Sequence, residues 1–259
     1  HYLNNRPLGF NKDNLIWFQL PYLDEPPQAF KNEVLQNPGI SALSFAGLDF
    51  GKTYSMYSSM NDPVAGHDST NLIRVAIIDV DMDFMKTMQI PIMEGRDFSR
   101  DFPSDMANYD SIAGWTGADP GRPLIVSESL VKRLDIKGPI GAVTNKDFFL
   151  KGTIVGVFKN FSAMSLKEEA PVLAIRCKPD GKNLRYVYAR INAANTAASI
   201  AFLAKTYKQF FPREKFDFSF IDDRVAHLYD TEIRLTKLSN IFSFLAIALS
   251  CMGLFSLVS

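Results

Sequence analysis

The chain has 259 residues, with 28 Lys plus Arg against 28 Asp plus Glu, so its formal net charge is zero. That balance argues against a nucleic-acid binder, which would carry a basic excess, and the charged and aromatic content argues against a disordered polar chain. The length suits one large domain or two small ones.

Asn14 to Leu20 (NLIWFQL) is a short apolar run closed by Pro21 and reads as a strand. Pro26 and Pro27 open a helix whose buried stripe is Ala29, Phe30, Val34 and Leu35, and Asn37, Pro38 and Gly39 stop it. Ile40 to Ala46 is a second strand. This strand–helix–strand unit predicts two parallel neighbours joined by a crossover. Gly47 to Thr70 is rich in Ser, Gly, Tyr and Met and reads as loop. Leu72 to Val80 is a strand, Asp81 to Met88 a short helix capped by Asp81, and Ile90 to Phe98 an extended return. Arg100 to Arg122 is long, polar and Gly/Pro-containing, a flap or an insertion.

Leu124 to Val126 is a short strand, Ser127 to Leu134 a capped helix, Lys137 to Gly141 a turn, and Phe148 to Phe161 a pair of strands or one bent strand. Val172 to Cys177 and Leu184 to Ile191 are strands whose connection contains Asp180-Gly181, a hairpin signal. Asn192 caps a long helix with Ala197, Ile200, Ala201, Ala204, Tyr207 and Phe211 on one face, and Phe216 to Ile221 alternates as a strand. The pattern predicts an α+β domain: two strand–helix–strand units sharing one sheet, with a β-rich lobe inserted from about Leu72 to Phe161.

The last stretch changes character. Asp222 to Asn240 is amphipathic and charged, and Ile241 to Val258 carries no ionisable group except the thiol of Cys251. An uncharged apolar run of roughly 18 residues is a membrane-span candidate. No Pro interrupts it, so one helix can leave a soluble domain as a stalk and enter a bilayer. The abrupt end at Ser259 fits a piece of a longer membrane protein. Val225, Leu228, Tyr229, Leu235 and Leu238 form an apolar stripe expected either to pack on another stalk helix or to lie on the domain's own underside.

Chemistry is sparse. Asp79, Asp81 and Asp83 suggest a calcium loop, but Phe84 and Ile90 stand where the pattern needs Gly and Glu, so a strand end and helix cap is the better reading. His1, His67 and His227 lie far apart, and Ser127 and Ser129 have no base at a recognisable spacing. Cys177 and Cys251 are poorly placed to pair, so no disulfide is expected. No catalytic, cofactor or metal residue is assigned. Tyr54, Met56 and Tyr57 in the first long loop, and Tyr109 and Trp115 in the second, are candidates for adaptable contact with a protein or an amphipathic cargo.

Several stretches, taken in order, resemble the extracytoplasmic domain of bacterial ABC-transporter permeases of the MacB/FtsX type. They are RPLGFNKDNLIWFQLP (Arg6 to Pro21), FKNEVLQNPGISALSFA (Phe30 to Ala46), DFMKTMQIPIMEGRDFS (Asp83 to Ser99), PLIVSESLVKRL (Pro123 to Leu134), GPIGAV (Gly138 to Val143) and GTIVGVFKNFSAMSLKEEAPVLA (Gly152 to Ala174). IFSFLAIALSCMGLFSLVS resembles the start of the membrane helix that follows. Ser127–Glu128 departs from the usual Asn–Glu pair, and the Arg100 to Arg122 loop is longer than expected.

The resemblance implies a porter-like lobe (about 10–70 and 165–221), an inserted β-rich lobe (about 72–161), a stalk helix (222–240) and the start of a membrane helix (241–259). A membrane helix is also expected before the domain. The resemblance further implies a non-enzymatic permease in the bacterial inner membrane with this domain on the periplasmic side. Its partners would be a cytoplasmic ABC ATPase, a second permease copy or homologous half, the lipid bilayer, and a periplasmic protein or amphipathic cargo. ATP hydrolysed by the ATPase would move the domain through the stalk, for export or for mechanotransmission. The alternative is an extracytoplasmic sensor domain of a membrane-anchored signalling receptor.

Overall fold

In a computed structural model of the chain, the described residues are 8–23, 26–52, 54–61, 72–107, 122–144, 151–161, 172–228, 239, 242–243 and 245–247. The strands are β1 (Leu15–Gln19), β2 (Ile40–Ala46), β3 (Met56–Asn61), β4 (Leu72–Val80), β5 (Ile92–Gly95), β6 (Pro123–Ser127), β7 (Val143–Thr144), β8 (Gly152–Phe158), β9 (Leu173–Cys177), β10 (Tyr186–Ile191) and β11 (Phe218–Phe220). The helices are α1 (Gln28–Val34), α2 (Phe84–Met88), α3 (Pro103–Met106), α4 (Glu128–Arg133) and α5 (Thr196–Phe210). A further helix, α6, is described over residues 221–228.

One mixed sheet runs in the order β11-β1-β10-β2-β4-β9-β6-β8-β5, with β3 beside β4 and β7 beside β8. The α+β expectation holds in its coarse form: a mixed α/β domain with a large sheet and a few helices. Both strand–helix–strand units exist, but neither joins sheet neighbours. β1 and β2 each pair antiparallel with β10, which lies between them, and β11 pairs with β1 rather than with β10. The two units therefore interleave as split βαβ motifs.

Alternation along the strands separates two faces. Leu15 of β1 and Ala76, Ile78 and Val80 of β4 belong to a cluster that also takes in residues of β2, β6, β8, β9 and β10, with α2 and Ile221 and Val225 of α6. Ile16 and Phe18 face the other side, where α1 and α5 cover them, and Ile73, Val75 and Ile77 face the cluster that includes Leu130 of α4. Phe30 of α1 is fully buried, worth about 2–3 kcal/mol of apolar burial, against the rings of Tyr207, Phe210 and Phe211.

Several local expectations are corrected. The Gly47 to Thr70 stretch is not all loop, because β3 pairs residue for residue with β4, covering an edge that β2 meets only at Ala46↔Val80. The Asp180-Gly181 turn forms, with Gly181 at φ +71°, yet β9 and β10 do not pair. β9 is fully buried between β4 and β6, whereas β10 takes both its partners, β1 and β2, from elsewhere. In α1, Ala29 and Leu35 face outward and Lys31 is buried. In α5, the inward residues are Ser199, Leu203, Thr206 and Tyr207, while Ala197 and Ala201 are exposed. Close approach explains the rotation, since a Cβ on Gly39 would stand 2.2 Å from Ser199 Oγ. Asp83, not Asp81, occupies the N-cap position of α2. The stalk and membrane helix expected after α6 lie, beyond residue 228, almost wholly outside the described residues.

Candidate functional site: the seat of the C-terminal helix

The start of β1 and the end of β11 lie side by side, with Ile16 opposite Phe220 and Phe18 opposite Phe218. The chain therefore enters and leaves the sheet at one end. α6 begins at residue 221, directly after β11. Ile221 and Val225 are 0% and 4% exposed, so the helix lies against the domain through this face, and Leu228 packs on the same cluster.

The surface it meets is the turn after β2. Leu48, Asp49 and Phe50 are all buried. Gly47 N donates to Asp79 O at 2.8 Å, Lys52 N to Asp49 O at 3.0 Å, and Tyr188 Oη to Leu48 O at 2.7 Å. Gly51 has φ +83°, and a Cβ built there would stand 3.3 Å from Leu228 Cδ1, so both the backbone and the approaching helix favour glycine. Arg224 closes the contact. Its Nη2 donates to Asp49 Oδ1 at 2.9 Å, its Nε and Nη2 both donate to the Phe50 carbonyl, and its guanidinium lies 3.9 Å from the Trp17 ring centre. Trp17 in turn stacks on Tyr186, and Phe10 of the entering segment meets Phe50 edge-on at 5.5 Å. That segment is held by Arg190, which donates to the carbonyls of Asn11, Asp13 and Thr87 at 2.8, 2.7 and 3.0 Å. An open pocket of about 480 Å³ beside it has a mixed lining that includes Asn11, Asp13, Gln89, Arg190, Ile191 and Ala193.

A charge network lies under α1. Lys31 Nζ contacts Asp81 Oδ2 at 2.6 Å and Asp83 Oδ2 at 2.7 Å, and Arg100 Nη2 reaches Asp83 at 2.9 Å. Asp81 also accepts from Ser44 Oγ, Phe45 N and Asp83 N. Burial would raise the Asp83 carboxyl, but hydrogen bonds from Arg100 and Lys31, with their charges, outweigh it and hold it at about 2. Arg176 grips Asp79 with two donors at 2.7 and 2.9 Å. Arg96 forks onto Asp105, and its guanidinium lies 3.6 Å from the Phe102 ring centre. Asp97 differs, because burial and then the like charges of Asp83 and Asp105 lift its carboxyl to about 6. Burial pushes the Cys177 thiol well up, and its Sγ donates to Met82 Sδ at 3.1 Å. Among the described residues, no group of three or more His, Cys, Asp or Glu is placed to hold a metal. Ser127 caps α4, accepting from Leu130 N at 3.2 Å and from Leu173 N at 3.0 Å.

Of the stalk stripe, Val225 lies in the chain's own core and Leu228 packs on it, while Tyr229, Leu235 and Leu238 lie outside the described residues. Of the loop candidates, Tyr54 is buried and Met56 sits on β3, where its Sδ accepts from Arg176 at 3.2 Å. Tyr57 is exposed, edge-on to Tyr54, with the Arg74 guanidinium 3.7 Å from its ring centre. Tyr109 and Trp115 lie outside the described residues. Arg224, Asp49 and Lys31 went unread in the sequence, where the signal was only a charge inside an apolar or amphipathic stretch.

Among the described residues the chain forms one large mixed sheet with few helices, and it enters and leaves that sheet at one end. No protein-family model and no curated protein matches the sequence. Among solved structures, the periplasmic region of MacB from Actinobacillus actinomycetemcomitans is similar, with a TM-score of 0.54 at 11% identity, covering 88% of this chain and 98% of that one. The extracellular domain of the ABC-type transporter YknZ from Gram-positive bacteria scores 0.48 at 13% identity, covering 79% and 100%. A domain described as belonging to a permease from Porphyromonas gingivalis scores 0.45 at 15%, covering 82% and 92%. The chain shares the fold of the MacB-type periplasmic domain.

Proposed function

We propose that the chain is the extracytoplasmic domain of an ABC-transporter permease, coupling ATP hydrolysis in a cytoplasmic ATPase to conformational change outside a bacterial inner membrane. The observation that carries the reading is the common end of the sheet, where β1 begins, β11 stops and α6 departs without an intervening loop. A domain held by both of its connections at one end is displaced whenever those connections move. The fold likeness to the periplasmic region of MacB supports the same reading. The uncharged run from Ile241 to Val258 supports a bilayer span, and in it Phe242, Leu245 and Ile247 are helical and 63%, 49% and 63% exposed, an apolar surface suited to lipid. Among the described residues, no helix is long and apolar enough to cross a membrane. The two lobes, and a second permease copy as partner, belong to the same proposal.

The test uses the full-length protein in membranes. It is expected to copurify with an ABC ATPase and, with a spin label at the exposed Lys208, to change its label-to-label distances between copies on ATP binding. Absence of a copurifying ATPase, or distances indifferent to ATP, would refute the reading.

A further inference from the structure

We infer that Arg224 is a positioning residue that sets the angle between α6 and the domain, with the turn 47–51 as its socket, so that motion of the helix enters the sheet there. This rests on the permease reading. Ile221, Val225 and Leu228 decide which side of the helix faces the core, but apolar contact is non-directional and by itself holds tilt only loosely. The guanidinium is directional: a planar fork holds one carboxylate and one carbonyl while its face lies on an indole. Here those partners are Asp49, Phe50 O and Trp17, supplied by the turn after β2 and by β1. Asp49 is 5% exposed, so the ion pair is shielded from the screening that weakens surface pairs.

The socket is braced from behind. Tyr188 of β10 holds Leu48 O, Asp79 of β4 accepts from Gly47 N, and Arg176 of β9 holds the Asp79 carboxylate. A push on Arg224 therefore bears on β10, β4 and β9, strands on both sides of the narrow β2–β4 pairing. Lacking the fork, the helix keeps its apolar seat but can pivot on it, and displacement is absorbed at the joint.

The experiment uses the full-length protein with its ATPase, spin-labelled at Ala226→Cys on α6 and Lys208→Cys on α5, both exposed positions. The parent protein is expected to give one narrow distance, the same with and without ATP, because helix and domain move together. Arg224→Met is expected to lose that single distance to a broad distribution and, labelled at Lys208→Cys alone, to lose the ATP-driven change in distance between copies. Arg224→Lys keeps the charge and stem but lacks the planar fork, and is expected to broaden the distance as well; it serves if the Met variant does not fold. A narrow distance retained in a folded variant would overturn the role of Arg224. If the parent protein shows no ATP-dependent displacement at all, the permease reading fails, and the width comparison still decides whether Arg224 fixes the joint.

Discussion

Asp97→Asn should stabilise the protein at neutral pH and not at acid pH. The Asp97 carboxyl is held up at about 6 against an ordinary 3.8, first by burial and then by the charges of Asp83 and Asp105, with the hydrogen bond from Phe98 N and the charge of Arg96 offsetting part. A folded-state pKa above the unfolded one means that the folded protein binds the extra proton. Its contribution is fully present below the unfolded pKa and is lost as pH rises through the folded pKa. A gap of about 2 in pKa corresponds to about 3 kcal/mol, and the water that still reaches this half-buried group reduces that to about 1–2 kcal/mol. Asn removes the charge and keeps an oxygen for the Phe98 N–H, which donates at 2.7 Å in the native protein. Urea denaturation followed by tryptophan fluorescence, at a pH near 4 and again above 7, measures the difference between variant and parent. The expected gain is about 1–2 kcal/mol above pH 7 and close to zero near pH 4. An equal gain at both, or none at the higher pH, refutes the reasoning.

Two further outcomes follow from buried polar contacts. Lys31→Met strands Asp81, which is 4% exposed and, among the described residues, keeps the donors from Ser44, Phe45 and Asp83. It should cost about 3 kcal/mol in the same denaturation assay, with Asp81→Asn on top recovering part of the loss because no charge is then left buried. Tyr188→Phe leaves Leu48 O without the Tyr188 hydroxyl in the core and should cost about 1–2 kcal/mol, visible as a lower urea midpoint at unchanged slope.

Much of the secondary structure could be read locally. The run from Leu72 to Val80 became β4 residue for residue, and α4 begins where Ser127 offers a side-chain cap. Both depend on neighbours a few residues away, which is what periodicity and capping report. The resemblance carried the fold type, because an ordered set of segments constrains topology more than any one of them does. Strand neighbours were another matter. The Asp180-Gly181 turn reverses the chain but says nothing about pairing, and β10 found β1 and β2, whose residues lie well over a hundred positions away. β3 was hidden because Ser, Tyr and Met carry little alternation, and its strand state comes from an open edge of β4. The seat of α6 was equally hidden: Arg224 and Asp49 are 175 residues apart, and Lys31 and Asp81 are 50 apart. The sequence by itself determined the balanced charge, the local elements and the apolar terminal run, since each depends on composition or on near neighbours. Only the tertiary structure decided the strand order, the inward face of α5 and the socket for Arg224, because these follow from which distant surfaces bury one another.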